Sequence, residues 1–284
     1  MTWTLIIGDR TYSSWSLRGW LLFAAFDLPV KVVRHPMYSD ALRAELAATG
    51  SGSHLVPQMT RAGATVWDTF AMAETLAEEH EGLWPADAAD RARARSMVAE
   101  MHSGFTALRG ACPMNLRHVY EGFEPSDAVR RDLDRIEHLW SRADPWLFGD
   151  YSIVDAFYAP VAMRIAGYGL DVSDAAMAYA ARHLGHLPVR QWRAMGVAEN
   201  FVQPGYDLDL PTREWPGSRL PARPVESGKP TNDLCPYSGT AVRPDSLAEI
   251  DGKIIGFCNP FCRDKSVADP GAWPKLQPLL GQSG

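Results

Sequence analysis

The stretch "GDRTYSSWSLRGWLLFAAF", residues 8–26, decides the fold. It follows Thr4-Leu5-Ile6-Ile7, an apolar run that reads as a buried strand ended by Gly8. It then opens a helix whose apolar set is Leu17, Trp20, Leu21, Leu22 and Ala24 to Phe26. Ser13 and Ser14 stand at the junction, with Tyr12 just before them. A serine at a helix start accepts a backbone N–H and caps the helix. The same hydroxyl lies beside the free N–H groups at the positive end of the helix dipole, where it can also serve an anion. Both roles are open for this pair.

Further along, Pro29-Val30-Lys31-Val32-Val33 reads as a second strand and Asp40 to Ala48 as a helix. Leu55 to Met59 and Thr65 to Trp67 bracket Gly63 as a hairpin, and a helix follows from Asp68 to about Glu79. The order βαβαββα predicts a small α/β domain with a mixed sheet over residues 1–82. From 87 to 200 the pattern becomes all-helical. "DRARARSMVAEMHSGFTALRG" and "PSDAVRRDLDRIEHLWSRA" place apolar residues at three- and four-residue steps, and "DYSIVDAFYAPVAMRIAGYG" is apolar all round. In the last, Ser152 and Asp155 form a capping box with Asp in place of Glu, and Gly167 and Gly169 end the helix. Six prolines fall between Gln203 and Asn232, which predicts an extended linker or surface strap over 203–230. A separate module follows over 231–284.

Composition narrows the function classes. With 284 residues and 46% apolar content the chain can bury a core in about two domains. The net charge is -6, and Lys and Arg are scattered among more numerous Asp and Glu, so neither nucleic acid nor an anionic membrane is an expected partner. No apolar run approaches the ~18 residues of a membrane span, and Met1-Thr-Trp-Thr lacks the basic start of a secretory signal. A cytoplasmic location is expected. Four cysteines, three of them in the last fifty residues, suit metal or thiol chemistry in a reducing compartment better than a disulfide scaffold.

Four pieces in order resemble the glutathione transferase family over roughly residues 1–200. "YSSWSLRGWLL" looks like the "SSxxSWxxR" region of its zeta-type members, and "LVPQM" like their cis-proline strand. "WDTFAMAETLAEEH" is similar to their next helix, and "SIVDAFYAPV" to their capped core helix. The resemblance implies a thioredoxin-like N-terminal domain, an all-α C-terminal domain, glutathione as co-substrate and a homodimer, with Trp67 near its interface. It also implies a hydroxyl that donates to the glutathione thiolate: Ser13 first, Ser14 second as the expected cap, and Tyr12 third. A helix dipole contributes ~0.3 to 2 kcal/mol to a nearby anion, which lowers a thiol pKa by up to roughly 1.5 units. The family pattern further implies a cis Val56-Pro57 bond that exposes the Val56 backbone to the cysteinyl unit. Asp68 and Thr69 would hold the γ-glutamyl end, with Asp68 as a helix cap the alternative.

The expected electrophile pocket is Met97, Met101, Phe105 and Arg109, spaced for one helix face, although Met at that spacing also suits a core. His54 and His102 are acid-base types without an evident nucleophile to pair with, and Cys112 reads as a buried thiol. The expected activity is thiolate attack on an electrophilic small molecule. The alternatives are a glutathione-dependent isomerase and a non-catalytic glutathione- or metal-binding sensor or adaptor.

Cys235 is separated by twenty-two residues from Cys258-Asn-Pro-Phe-Cys262, and Ile250-Asp251-Gly252-Lys253 reads as a hairpin turn between them. Such a turn brings Cys235 beside the pair, and thiolates suit zinc or Cu(I). The spacing, with "DGKIIGFC" and "ADP", resembles the YHS or TRASH-type metal domains over residues 231–274. Asp233, a backbone group, water or a partner would supply a fourth ligand. A metal-free fold with three buried cysteines is the alternative.

Overall fold

The computed structural model describes residues 1–217 and 220–281. In chain order its elements are β1 (Trp3–Ile7), α1 (Ser14–Ala24), β2 (Val30–Arg34), α2 (Asp40–Ala48), β3 (Gln58–Arg61), β4 (Ala64–Trp67) and α3 (Thr69–Glu79). Then come α4 (Ala88–Ser103), α5 (Thr106–Ala111), β5 (Val119–Tyr120), α6 (Asp127–Trp140), α7 (Ile153–Tyr168), α8 (Asp174–Gly185) and α9 (Leu187–Ala198). The chain ends with β6 (Thr212–Arg213), β7 (Ala222–Val225), β8 (Leu247–Ile250), β9 (Lys253–Gly256), α10 (Pro260–Ala268) and α11 (Gln277–Leu280). They form two compact units: Met1–Leu184 with Gln203–Trp215, and Gly185–Val202 with the chain from Pro216 onward.

The first unit begins with the mixed sheet that the βαβαββα order predicts, in the order β2-β1-β3-β4. β1 runs parallel to β2 and antiparallel to β3, with Leu5 opposite Val32 and Met59. Leu5 and Met59 are fully buried. β3 starts at Gln58, three residues later than the apolar run at Leu55, because residues 55–57 form the approach to the strand; the Val56-Pro57 bond is cis. Pro57 packs closely against Gly19 of α1, where a Cβ would sit 2.7 Å from the proline ring, so the glycine is required by that approach.

α7 forms the centre of the helical part and packs against α1 and α4. Fifteen of its sixteen residues are buried, which explains why its sequence shows no polar face. The capping box at its start is present: Ser152 N–H donates to Asp155 Oδ2 at 2.9 Å, and Gly169 ends the helix in the left-handed region at φ 57°. The Asp155 carboxylate also accepts from Leu147 N–H at 3.1 Å and Tyr179 O–H at 2.6 Å.

Other boundaries also differ from the sequence expectation. The helix predicted through residues 90–110 breaks at Gly104, and Phe105 takes φ 53° before α5 begins. The proline-rich stretch 203–230 is divided between the units: 203–215 belongs to the first, where Thr212–Arg213 pairs with Val119–Tyr120 and Trp215 is buried. Strand pairing accounts for this, since polar backbone that finds a ladder partner is no longer free linker.

In the second unit β7-β8-β9 form an antiparallel sheet, and Asp251 (φ 49°) and Gly252 (φ 73°) make the predicted two-residue turn. α10 and α9 pack together, and Arg190 pairs with Asp269 through both its Nε (3.0 Å) and Nη2 (2.7 Å). Ala194 of α9 is buried in the same core as Ile250, Ile255, Phe257 and Trp273. Residues 187–200, expected with the helical domain, therefore complete the core of the cysteine-bearing unit. About fifty residues bury too little apolar surface to stand comfortably alone, and an extra helix enlarges that core. No helix among the described residues is long and apolar enough to cross a membrane.

Candidate functional site

A cavity of about 870 Å³ opens at the N-terminus of α1 in the first unit. Tyr12, Ser13, Ser14 and Trp15 line it, together with Met37, Tyr38, Leu42, Arg43, His54 and Val56. His102, Thr106, Arg109, Met114, Arg164, Gly205 and Tyr206 also contribute to its lining.

The two serines divide the roles that the sequence leaves open. α1 starts at Ser14, so Ser13 is the cap: its Oγ accepts from Ser16 N–H at 3.2 Å and donates to Ser16 Oγ at 2.8 Å. Ser16 Oγ accepts in turn from Gly8 N–H at 3.1 Å, which ties the helix start to the end of β1. The expectation that Ser14 is the cap is thus corrected by one residue of helix register, and both serines line the cavity. Ser14 also lines the cavity, and its Oγ accepts a long hydrogen bond from Arg164 Nη2 at 3.5 Å. Tyr12 is 2% exposed, and burial, with the Asp207 charge, pushes its phenol pKa up, so it stays protonated.

Val56 is on the cavity wall, whereas Pro57 is turned to Gly19. Asp68 and Thr69 do not line the cavity. Asp68 caps α3 by accepting Phe70 N–H at 2.8 Å, and its other oxygen lies 3.0 Å from His102 Nε2. Thr69 is fully buried. The Asp68 carboxylate is thus engaged by both the cap and the imidazole. Burial lowers the His102 pKa, and Arg18 and Arg109 add to this against Asp68, so the imidazole is mainly neutral at pH 7.

Of the expected electrophile residues, only Arg109 reaches the cavity. Met97, Met101 and Phe105 are core. The break at Gly104 and Phe105 interrupts the helix that was to align the four. Arg109 instead folds back on the end of α4, where its Nη1 donates to the carbonyls of His102 (3.0 Å) and Gly104 (3.1 Å). The Trp15 ring is approached by the guanidinium of Arg18 at 3.8 Å and by that of Arg109 at 5.3 Å.

Two parts of the site had no place in the sequence reading. Arg164 enters from the buried face of α7, and its only signal was a cation in an otherwise apolar helix. Residues 205–213 take the surface-strap form of the linker-or-strap expectation, but the sequence does not place that strap at the cavity. Tyr206 packs on Tyr12 with ring centroids 5.4 Å apart, and its hydroxyl is 3.3 Å from that of Tyr38. Asp207 accepts from Asn115 at 2.7 Å and Leu208 N–H donates to Tyr120 at 3.1 Å, which anchors the strap beside the cavity. His54 is on the wall and Cys112 is fully buried, its thiol pushed up to about 12 by burial.

In the second unit the Sγ atoms of Cys235, Cys258 and Cys262 lie within 4.8 Å of one another, with Cys258 and Cys262 3.9 Å apart. Tetrahedral zinc with Zn–S bonds of about 2.3 Å separates its sulfurs by roughly 3.8 Å, so the three fit one ion. Cys262 sits in the first turn of α10, whose cap Asn259 accepts its N–H at 2.8 Å, and Asn259 Nδ2 donates to Cys258 Sγ at 3.2 Å. Burial acts to raise the Cys235 thiol, but backbone N–H donors from Ser238, Tyr237 and Cys258 outweigh it and bring it to about 7. Burial pushes Cys262 up to about 12. Among the described residues no histidine, fourth cysteine or carboxylate joins the group, Asp233 included. Ser266 donates to the Cys262 carbonyl and bonds the hydroxyl of Tyr237, whose ring stacks on Phe257.

No protein-family model matches the sequence, and no curated protein sequence is significantly similar to it. Solved structures do share its fold. A glutathione transferase homologue from Burkholderia GL BGR1 with bound glutathione is 20% identical, with a TM-score of 0.53 over 69% of this chain and 99% of that one. Glutathione transferase Omega 3C from Trametes versicolor is 18% identical, with a TM-score of 0.52 over 68% and 88%. Ure2p in complex with glutathione is 16% identical, with a TM-score of 0.53 over 68% and 92%. The chain has the glutathione transferase fold, with a small sheet added near its C-terminus.

Proposed function

We propose that this chain binds glutathione in the cavity at the start of α1 and activates its thiolate for attack on an electrophilic small molecule. The observation that carries the reading is the split between the two serines: the Ser13 hydroxyl is committed to the cap, whereas Ser14 lines the cavity with only the long 3.5 Å contact from Arg164 Nη2 to its Oγ. Fold neighbours with glutathione bound support the choice of thiol. The thiol loses its proton to solvent, Ser14 donates to the sulfur, and the free N–H groups of the first turn stabilise the negative charge. Val56 on the wall offers its backbone to the peptide part of the tripeptide. Cytoplasmic location and a homodimer with Trp67 near the interface belong to the same proposal; Trp67 is 47% exposed in the single chain.

The test is calorimetric titration of glutathione into the full chain, followed by turnover with a chloronitroaromatic electrophile. Binding with turnover supports the transferase. Binding without turnover of a panel of electrophiles favours the second reading, a glutathione- or metal-binding sensor on a transferase scaffold. The cysteine cluster of the second unit is the observation that favours that alternative. Isomerisation of a conjugated substrate without loss of glutathione would identify the isomerase.

For the second unit, Cys235, Cys258 and Cys262 would hold zinc or Cu(I), which would supply a structural crosslink to a small core. Chain produced in zinc- or copper-supplemented medium is expected to carry about one metal ion by mass spectrometry, and Cys258→Ser to lose most of it. Equal metal content in the two proteins would remove the site.

A further inference from the structure

We infer that Arg164 is a second catalytic residue, whose guanidinium holds the sulfur of the bound thiolate together with Ser14. This rests on the glutathione reading above and adds to it a group from the far side of the fold. Arg164 is 5% exposed, yet it lines the cavity. Its Nε donates to the Cys112 carbonyl at 2.8 Å and its Nη1 to the Pro160 carbonyl at 3.1 Å. These two bonds fix the plane of the fork and leave Nη2 directed at Ser14 Oγ, 3.5 Å away. That separation is too long for a strong bond, so donor capacity at Nη2 is unspent beside the hydroxyl.

The charge balance points the same way. No carboxylate pairs with Arg164 among the described residues, and the nearby Arg109 has the same sign. A buried cation without a counter-charge costs several kcal/mol, and a cluster of them more. Burial, followed by Arg109, pulls the guanidinium down to about 10, still protonated at pH 7. The neutral Cys112 thiol supplies no anion. An S⁻ placed at Ser14 completes the pair with a charge-assisted N–H donor. The guanidinium exchanges no proton in this step: the thiol proton goes to solvent, and Arg164 and Ser14 stabilise the anion that remains.

A merely structural role would keep α7 tied to the Cys112 loop without touching the thiol. The discriminating measurement is the pH titration of thiolate ultraviolet absorbance in the glutathione complex, for wild type and Arg164→Gln. S-methylglutathione affinity serves as the control for an intact site. The expected result is roughly tenfold less thiolate for R164Q below the wild-type midpoint, with S-methylglutathione affinity unchanged. An unmoved titration in R164Q overturns the inference and leaves the transferase reading standing. Absence of glutathione binding, or an unshifted thiol, in the wild type overturns both. If R164Q does not fold, Arg164→Lys carries the test, since an ammonium keeps the charge but not the fork: an intermediate titration supports the assignment, and one identical to wild type rejects it.

Discussion

Ser14→Ala is expected to lower kcat/KM for glutathione conjugation by roughly 10²- to 10³-fold, the loss typical of removing one donor to a developing anion. Ser13→Ala should act differently. Its hydroxyl is committed to Ser16, so its loss should cost about 1 kcal/mol of stability through the cap while turnover falls less than about tenfold. The pair of variants, measured for both kinetics and thermal midpoint, separates the two jobs. If Ser13→Ala loses turnover and Ser14→Ala does not, the register-based assignment is wrong. The partner of the Ser14 hydroxyl would then be Arg164 rather than a ligand. Glutathione affinity should change little in either variant, because the donor acts chiefly on the charged sulfur.

Asp155→Ala should be the most destabilising single change in the first unit, by about 3–5 kcal/mol in urea unfolding. The carboxylate accepts from Leu147 N–H, Ser152 N–H and Tyr179 O–H in a fully buried position, and alanine leaves these donors without their partner. A loss below about 1 kcal/mol would mean that the network relaxes onto other acceptors. The same residue gives the folded protein a pH dependence. Burial raises its pKa from 3.8 to about 6, against the bonds that lower it. Between those values the folded chain holds more protons than the unfolded one, so stability falls as pH rises through this window and the penalty is complete above about 6. At 1.36 kcal/mol per unit the change is of the order of 2–3 kcal/mol. Asn does not titrate, so the advantage of wild type over Asp155→Asn should be larger at pH 4.5 than at pH 7. A constant difference across that range would place the carboxyl pKa near its ordinary value.

Local patterns made much of the fold legible. Periods of two and 3.6 residues mark β1 to α3, the Ser152 and Asp155 box marks the start of α7, and Asp251-Gly252 marks the last hairpin. Each of these depends on residues within a turn or a strand of one another. The break at Gly104 and Phe105 was less visible, because the apolar spacing continues through it into α5. Asp68 shows the same limit at the site: its type suits a cap, a ligand for an ammonium group or a partner for histidine, and proximity to His102 selects among them.

By itself the sequence determined the order of the elements, a hydroxyl-bearing junction ahead of α1 and the three-cysteine spacing, since these follow from side-chain period, capping chemistry and turn residues close along the chain. Only the tertiary structure decided which serine caps α1, that Arg164 lies beside Ser14 from 150 residues away, and that Tyr206 of the proline-rich strap packs on Tyr12. The reason is physical. A cap is settled by the N–H two or three residues ahead, whereas the task of a hydroxyl or a buried cation is settled by whichever group the packed fold brings within hydrogen-bond reach.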